Sequence, residues 1–231
     1  MKKLTEKHLQ KGKSWRDLVY FPIIFNAIGL LFMCLLFIFS PESSIGSTEF
    51  NTVVYLSVFI TEWSLVFIVI RRLKRQGVSL KQLIVPKIKY RVLPAILVFI
   101  SLNALFTAYM VLSLRFGRIS TIGNLNPLQV VFFIALSPMT AGFVEELIWR
   151  GYFVEELLKM GISEKKSILF SSISFAFIHG FFLIDKLAVT FLTGIIAGKY
   201  YVRERNLLTL MVAHVVMDIV AFILIIKALV C

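Results

Sequence analysis

Long apolar runs separated by short, mostly basic connectors set the pattern of this chain. The runs cover residues 18–40, 51–70, 92–114, 127–150, 167–183, 187–201 and 207–229. A helix that crosses the hydrocarbon core of a bilayer needs about 20 apolar residues. The pattern therefore predicts seven membrane-spanning helices, of which 167–183 and 187–201 are the shortest. The first run follows a basic N-terminus, Lys2 to Arg16, as a signal peptide would. It is longer than a signal-peptide core, and no A-x-A-like cleavage site follows it, so it reads as a retained span.

Composition agrees with the pattern. Of 231 residues, 58% are hydrophobic and 22 are Phe. Soluble domains average about 45–50% apolar residues, and disordered chains carry fewer. Both classes are excluded, and the expected fold class is all-α, a polytopic membrane helix bundle of about seven transmembrane helices.

The formal charge of +12 changes the picture only through its distribution. Six basic residues precede the first run: Lys2, Lys3, Lys7, Lys11, Lys13 and Arg16. Eight lie in the loop 71–91: Arg71, Arg72, Lys74, Arg75, Lys81, Lys87, Lys89 and Arg91. Lys159, Lys165 and Lys166 share a third connector, and Lys199, Arg203 and Arg205 a fourth. The alternate connectors hold only Arg115, Arg118, Lys186 and Lys227. Basic residues collect on the cytoplasmic side, so a cytoplasmic N-terminus and an outer C-terminus are expected. The charge is then a topology signal that needs no nucleic acid, with membrane lipids as natural partners. The loop 71–91, with Gly77 and Pro86, has room for a short interfacial helix. Cys34 and Cys231 form no CxxC pair and suggest neither a disulfide framework nor a thiolate metal site.

Ionisable residues inside apolar runs are costly and point to function by default. The runs hold Glu62, Glu145, Glu146, His179, His214 and Asp218, with Arg150 near an edge. His8, the remaining histidine, lies in the basic tail. Glu146 and Arg150 are four apart and share a helix face. Glu145 is turned about 100° from Glu146 and is expected to point elsewhere. One carboxylate would then be neutralised and the other free for chemistry, though a charged helix cap would show the same residues. A lone His179 on an apolar helix suits interhelical hydrogen bonding as well as catalysis. His214 and Asp218, again four apart, could ligate a metal, set a histidine tautomer or tie two helices together. From the predicted cytoplasmic ends, His214 lies about 10 Å deep, His179 about 18 Å and Glu145 about 8–20 Å, so one shared site is feasible. Glu155 and Glu156 read as a solvated helix continuation or an interfacial surface. Glu62 has no partner legible in the sequence and is expected nearer a membrane edge.

Three motifs now stand in order: E-E-x-x-x-R at Glu145, Glu146 and Arg150; F-x-x-x-H at Phe175 and His179; H-x-x-x-D at His214 and Asp218. Together with Pro138 and the Arg150–Gly151 pair they resemble the CPBP family of intramembrane proteases. That family includes the type II CAAX prenyl endopeptidases and the bacterial Abi, or bacteriocin-processing, proteins. The resemblance spans about residues 127–225. It divides the chain into N-terminal transmembrane segments at 1–126, with the basic tail and loop, and catalytic core helices at 127–231.

The resemblance implies that Glu145 activates a water with help from His179, that His214 and position 218 stabilise the oxyanion, and that Glu146 and Arg150 hold the site together. An ionised Asp cannot donate to an oxyanion as an Asn would, so Asp218 is expected to orient His214 or carry a proton. If a metal is present, Glu145, His179 and His214 would bind it, with zinc the candidate. No H-E-x-x-H helix is present, and a Glu/His-activated water needs no tightly bound metal. The expected activity is endopeptidase cleavage of a small membrane-associated peptide or protein, in peptide maturation or bacteriocin immunity, in a bacterial plasma membrane. The alternatives are a non-catalytic membrane interaction protein on the same fold and a proton-relay transporter. Transporters are commonly built from internal repeats, and this chain shows none.

Overall fold

The computed structural model describes residues 2–42, 47–84, 91–118, 125–179 and 184–226, with side chains from Trp15 onward except Gln82. Pro86, Lys87, Lys89, Lys227 and Cys231 lie outside the described residues, as do the side chains of His8 and of the basic tail before Trp15. Eight helical segments follow in order: α1 (Lys2–Phe39), α2 (Thr48–Arg75), α3 (Leu80–Ile84), α4 (Val92–Arg115), α5 (Pro127–Lys159), α6 (Glu164–Phe177), α7 (Ile184–Glu204) and α8 (Leu207–Ile225). Each apolar run forms a helix over most of its described residues, and the basic loop carries the short α3.

Among the described residues five helices are long and apolar enough to cross a membrane: α1 from Trp15, α2, α4, α5 and α8. The seven predicted spans thus resolve into five long ones and two shorter companions. At about 1.5 Å per residue, the 14 residues of α6 fall short of a hydrocarbon core of about 30 Å. α7 is longer but carries Asp185, Lys186, Lys199, Arg203 and Glu204. The protein is a multi-pass helical bundle with its polarity inverted relative to a soluble one. Leu30, Ile38, Phe67, Leu93, Ile100 and Val212 are exposed on its outside, whereas Glu62, Glu145, Glu146, Arg150 and His214 are buried within.

Helix ends follow local chemistry. Ser47 caps α2 by accepting from the Phe50 amide, and Asn206 caps α8 by accepting from that of Thr209. Asn126 and Gln129 form a capping box ahead of Pro127 at the start of α5. The carbonyl of Phe177, at the end of α6, accepts a hydrogen bond from Asn26 Nδ2 of α1 at 2.8 Å.

α5 is the central helix, packed against α2, α6 and α8. It is not a regular α-helix. Its Phe132–Leu136 and Glu146–Val154 stretches are π-helical. Pro138, two residues past the first stretch, supplies no amide to the helix ladder. All nine residues of the second are buried. Trp149 donates from Nε1 to Ser174 Oγ at 3.3 Å, and its carbonyl accepts from Ser171, fastening α5 to α6. At one end of the bundle Arg72 pairs with the buried Asp17, and Tyr152 donates to the same carboxylate at 3.2 Å. That cluster ties α1 and α2 to α5.

Small residues let the backbones close in. Gly194 and Gly198, spaced as G-x-x-x-G, seat α7 on Ser172 and Ile168 of α6. Gly142 lets α5 meet α8: a Cβ there would stand 2.6 Å from Val215 Cγ2, 2.9 Å from the Met211 carbonyl oxygen and 3.0 Å from the Val215 amide. Two of those neighbours are backbone atoms and cannot rotate away. Gly142→Ala is expected to destabilise the bundle by about 1–3 kcal/mol through overpacking. Thermal unfolding of the purified protein checks this, and an unchanged midpoint would show that α8 yields freely.

Candidate active site

The Gly142 crossing sets up the polar cluster. Met211 and Val215, which crowd Gly142, flank His214 on α8, while Glu145 and Glu146 follow Gly142 on α5. The imidazole of His214 enters between the two carboxylates. Its Nδ1 is 2.9 Å from Glu146 Oε1, and its Nε2 is 3.6 Å from Glu145 Oε2. Glu145 was expected to point away from its neighbour, yet both carboxylates meet one ring. The π-helical stretch beginning at Glu146 offers a reason. Its hydrogen bonds reach five residues instead of four, so each turn holds more residues and successive side chains diverge less around the axis.

The four-residue spacing of Glu146 and Arg150 does yield an ion pair, Nη1 to Oε1 at 3.1 Å, with both side chains buried. Arg150 also stacks over the Phe175 ring, 4.2 Å from its centroid. Glu146 Oε1 therefore faces a guanidinium and an imidazole at once. A carboxylate held by Arg150 accepts, so His214 Nδ1 donates and Nε2 is directed toward Glu145 and Asp218. Asp218 Oδ2 is 3.7 Å from that Nε2, outside hydrogen-bonding range. The orienting contact expected from Asp218 belongs to Glu146, because Nδ1 and not Nε2 is the atom that is fixed.

His179 lies just beyond the end of α6, in the turn after Phe177, and not within a span. Its Nδ1 is 3.1 Å from the Phe175 carbonyl oxygen. A carbonyl can only accept, so Nδ1 carries the proton and the neutral ring keeps its lone pair on Nε2. The Phe175 ring packs edge-on against His179, with centroids 4.9 Å apart, and against His214 at 6.3 Å. One aromatic ring thus touches both histidines and the arginine, which gives the F-x-x-x-H spacing a physical content.

Two sheltered ionisable residues were not legible as such. Glu62 of α2, expected near a membrane edge, is only 2% exposed, on the helix that packs against the Ser137–Glu145 stretch of α5. Lys186, counted above with the outer-side charges, is half-buried, with its ammonium in electrostatic reach of Glu145 and Asp218. Beside it Asp185 pairs with Arg118 at 2.8 Å, and that hydrogen bond holds the Asp185 carboxyl below its usual range. The presence of Glu62 in an apolar run was the signal for it, but nothing within that run shows which helix covers it. Glu155 and Glu156 are not a solvated pair either. Glu155 binds Arg205 and the Tyr201 hydroxyl, while Glu156 is buried with Lys159 on one oxygen.

His214 Nδ1 is taken by Glu146 and His179 Nδ1 by a backbone carbonyl, which leaves Nε2 of each ring as the nitrogen open to a ligand. Among the described residues no three His, Cys, Asp or Glu side chains are grouped to hold a metal ion, so Glu145, His179 and His214 do not form a zinc site as placed.

Residues 127–220 match the family described as type II CAAX prenyl endopeptidase Rce1-like. The resemblance carried by the three motifs is thereby shown for α5 through most of α8. Residues 1–126 lie outside the match, although α2, which carries the buried Glu62, packs against α5. No curated protein and no solved structure matches the chain.

Proposed function

We propose, from the Rce1-like match over residues 127–220, that this multi-pass membrane protein is an intramembrane endopeptidase that cleaves a membrane-associated peptide by a water activated at Glu145. The observation that carries the reading is the convergence of Glu145, Glu146 and His214 in a buried cluster inside apolar helices, beside Phe175 and His179. Glu145 is the carboxylate of the pair that Arg150 does not neutralise, so it takes the proton of a water whose oxygen attacks the scissile carbonyl carbon. His214, when protonated, donates from Nε2 to the oxyanion that forms, and the Asp218 carboxylate offsets the imidazolium charge. The C–N bond then breaks, and the proton held by Glu145 passes to the leaving amine. His179, with its lone pair on Nε2, assists the proton transfers. Glu146 and Arg150 are positioning residues that fix the ring of His214.

No step requires a metal. Purified protein is expected to carry no stoichiometric zinc and to cleave equally well after chelator treatment. Stoichiometric zinc together with chelator-sensitive turnover would overturn this part of the mechanism.

Placement supports a substrate class. The site lies within a bundle of apolar helices, which suits a short apolar or membrane-anchored peptide, in peptide maturation or bacteriocin immunity at a bacterial plasma membrane. The secreted peptides of strains carrying the wild type or Glu145→Ala would identify it. A peptide that accumulates uncleaved only in the Glu145→Ala strain is the expected result, and identical profiles would sink the reading.

A further inference from the structure

α6 ends at Phe177, two residues before His179. The last carbonyls of a helix have no partner within the helix, and in hydrocarbon no water supplies one. Two of them are taken by His179 itself. Its ring Nδ1 is 3.1 Å from the Phe175 oxygen, and its amide donates to the Ala176 oxygen at 3.0 Å. The Phe177 oxygen is taken from another helix. Asn26 stands close to the middle of the apolar part of α1. It donates from Nδ2 to the Phe177 oxygen at 2.8 Å and to its own Pro22 carbonyl at 2.8 Å. Those two bonds use both hydrogens of the amide. An amide in an apolar span is costly unless it is hydrogen-bonded, and Asn26 meets that condition by reaching α6. A second bond runs the other way. Pro22 has no amide to offer the Leu18 carbonyl, and the Ser174 hydroxyl of α6 donates there at 2.7 Å.

We infer that Asn26 is a positioning residue for the hydrolysis: by holding the Phe177 carbonyl it fixes the point at which α6 ends, and with it the place of His179. The histidine is bonded to the last turn of α6 through both its amide and its ring, so a turn that is held holds the imidazole. Phe175, in the same turn, packs against His179 and His214 with ring centroids 4.9 and 6.3 Å away. A displaced turn would therefore move His179 relative to His214. Asn26 lies outside the Rce1-like segment. An N-terminal helix thus constrains a site whose reacting groups all come from the matched residues.

The inference rests on the peptidase reading for its kinetic test alone. The full-length protein in lipid nanodiscs would be compared as wild type, Asn26→Leu and Asn26→Gln, after thermal unfolding has verified that each is folded. Leu keeps a similar size and removes the donor, whereas Gln keeps an amide donor. Asn26→Leu is expected to lower kcat by about tenfold with KM nearly unchanged, the signature of a misplaced catalytic group. Asn26→Gln is expected to stay within about twofold of wild type, since the donor is kept. In a His179→Ala background, Asn26→Leu is expected to lower kcat by less than about twofold further, because effects that pass through one group do not add. Hydrogen–deuterium exchange needs no substrate. Amides at the end of α6 are expected to exchange about tenfold faster in Asn26→Leu than in wild type, with those around His214 unchanged. Wild-type kcat in Asn26→Leu, an Asn26→Gln variant as slow as Asn26→Leu, an undiminished effect in the His179→Ala background, or unchanged exchange at the end of α6 would each overturn the inference. Should the wild type cleave no peptide at all, the peptidase reading fails, while the exchange still decides whether Asn26 holds the end of α6.

Discussion

Glu145→Gln is expected to abolish peptide cleavage while leaving the protein folded. The amide keeps the shape of the carboxylate, so packing around α5 is preserved. What it loses is basicity. Positioned general bases contribute about 10²–10⁴-fold to rate, and the loss should fall in kcat, because a ground-state peptide gains little from the base. Single-turnover cleavage of an identified peptide measures this. A Glu145→Gln protein that cleaves at the wild-type rate would remove Glu145 from the mechanism. Glu146→Gln should behave differently. It disturbs the anchor of the His214 ring and the partner of Arg150, and so should affect stability and rate together.

Arg150→Met is expected to produce the largest loss of stability. Arg150 and Glu146 are each 2% exposed, and the guanidinium also covers the face of Phe175. Removing the cation strands a buried carboxylate and exposes the ring face to a void. Breaking a buried pair from one side costs about 3–5 kcal/mol. Because both groups belong to one network, the effects of their removal should not add. The double variant Arg150→Met with Glu146→Gln is therefore expected to recover much of the loss, since no unpaired charge remains. Arg150→Lys should not substitute well, because an ammonium cannot both pair with Glu146 and stack flat on Phe175. Thermal unfolding in nanodiscs of the single and double variants checks the series. A double variant less stable than Arg150→Met alone would show that the pair is not the source of the effect.

Much of the architecture was legible in the chain itself. A bilayer demands long apolar helices, and the runs at 18–40, 51–70, 92–114, 127–150 and 207–229 satisfy that demand by composition alone. The pairing of Glu146 with Arg150 was legible too, because a four-residue spacing survives in the fold. The spans at 167–183 and 187–201 were less well defined. Helices that lean on neighbours through Gly194 and Gly198 need not be long or uniformly apolar, and only the packing reveals that support.

The sequence by itself determined which residues had to be sheltered from lipid: two histidines, the acids at 62, 145, 146 and 218, and one arginine, all set in or beside apolar runs. It could not determine who meets whom. Helical spacing relates residues within one turn, whereas the Glu145 carboxylate meets His214 of α8, 69 positions away. That contact exists because Gly142 admits α8 against α5, and because a π-helical stretch brings Glu145 and Glu146 onto one imidazole. Close backbone approach and a widened helical turn are consequences of tertiary packing. They place Glu146 Oε1 2.9 Å from His214 Nδ1 and leave Asp218 Oδ2 3.7 Å from Nε2.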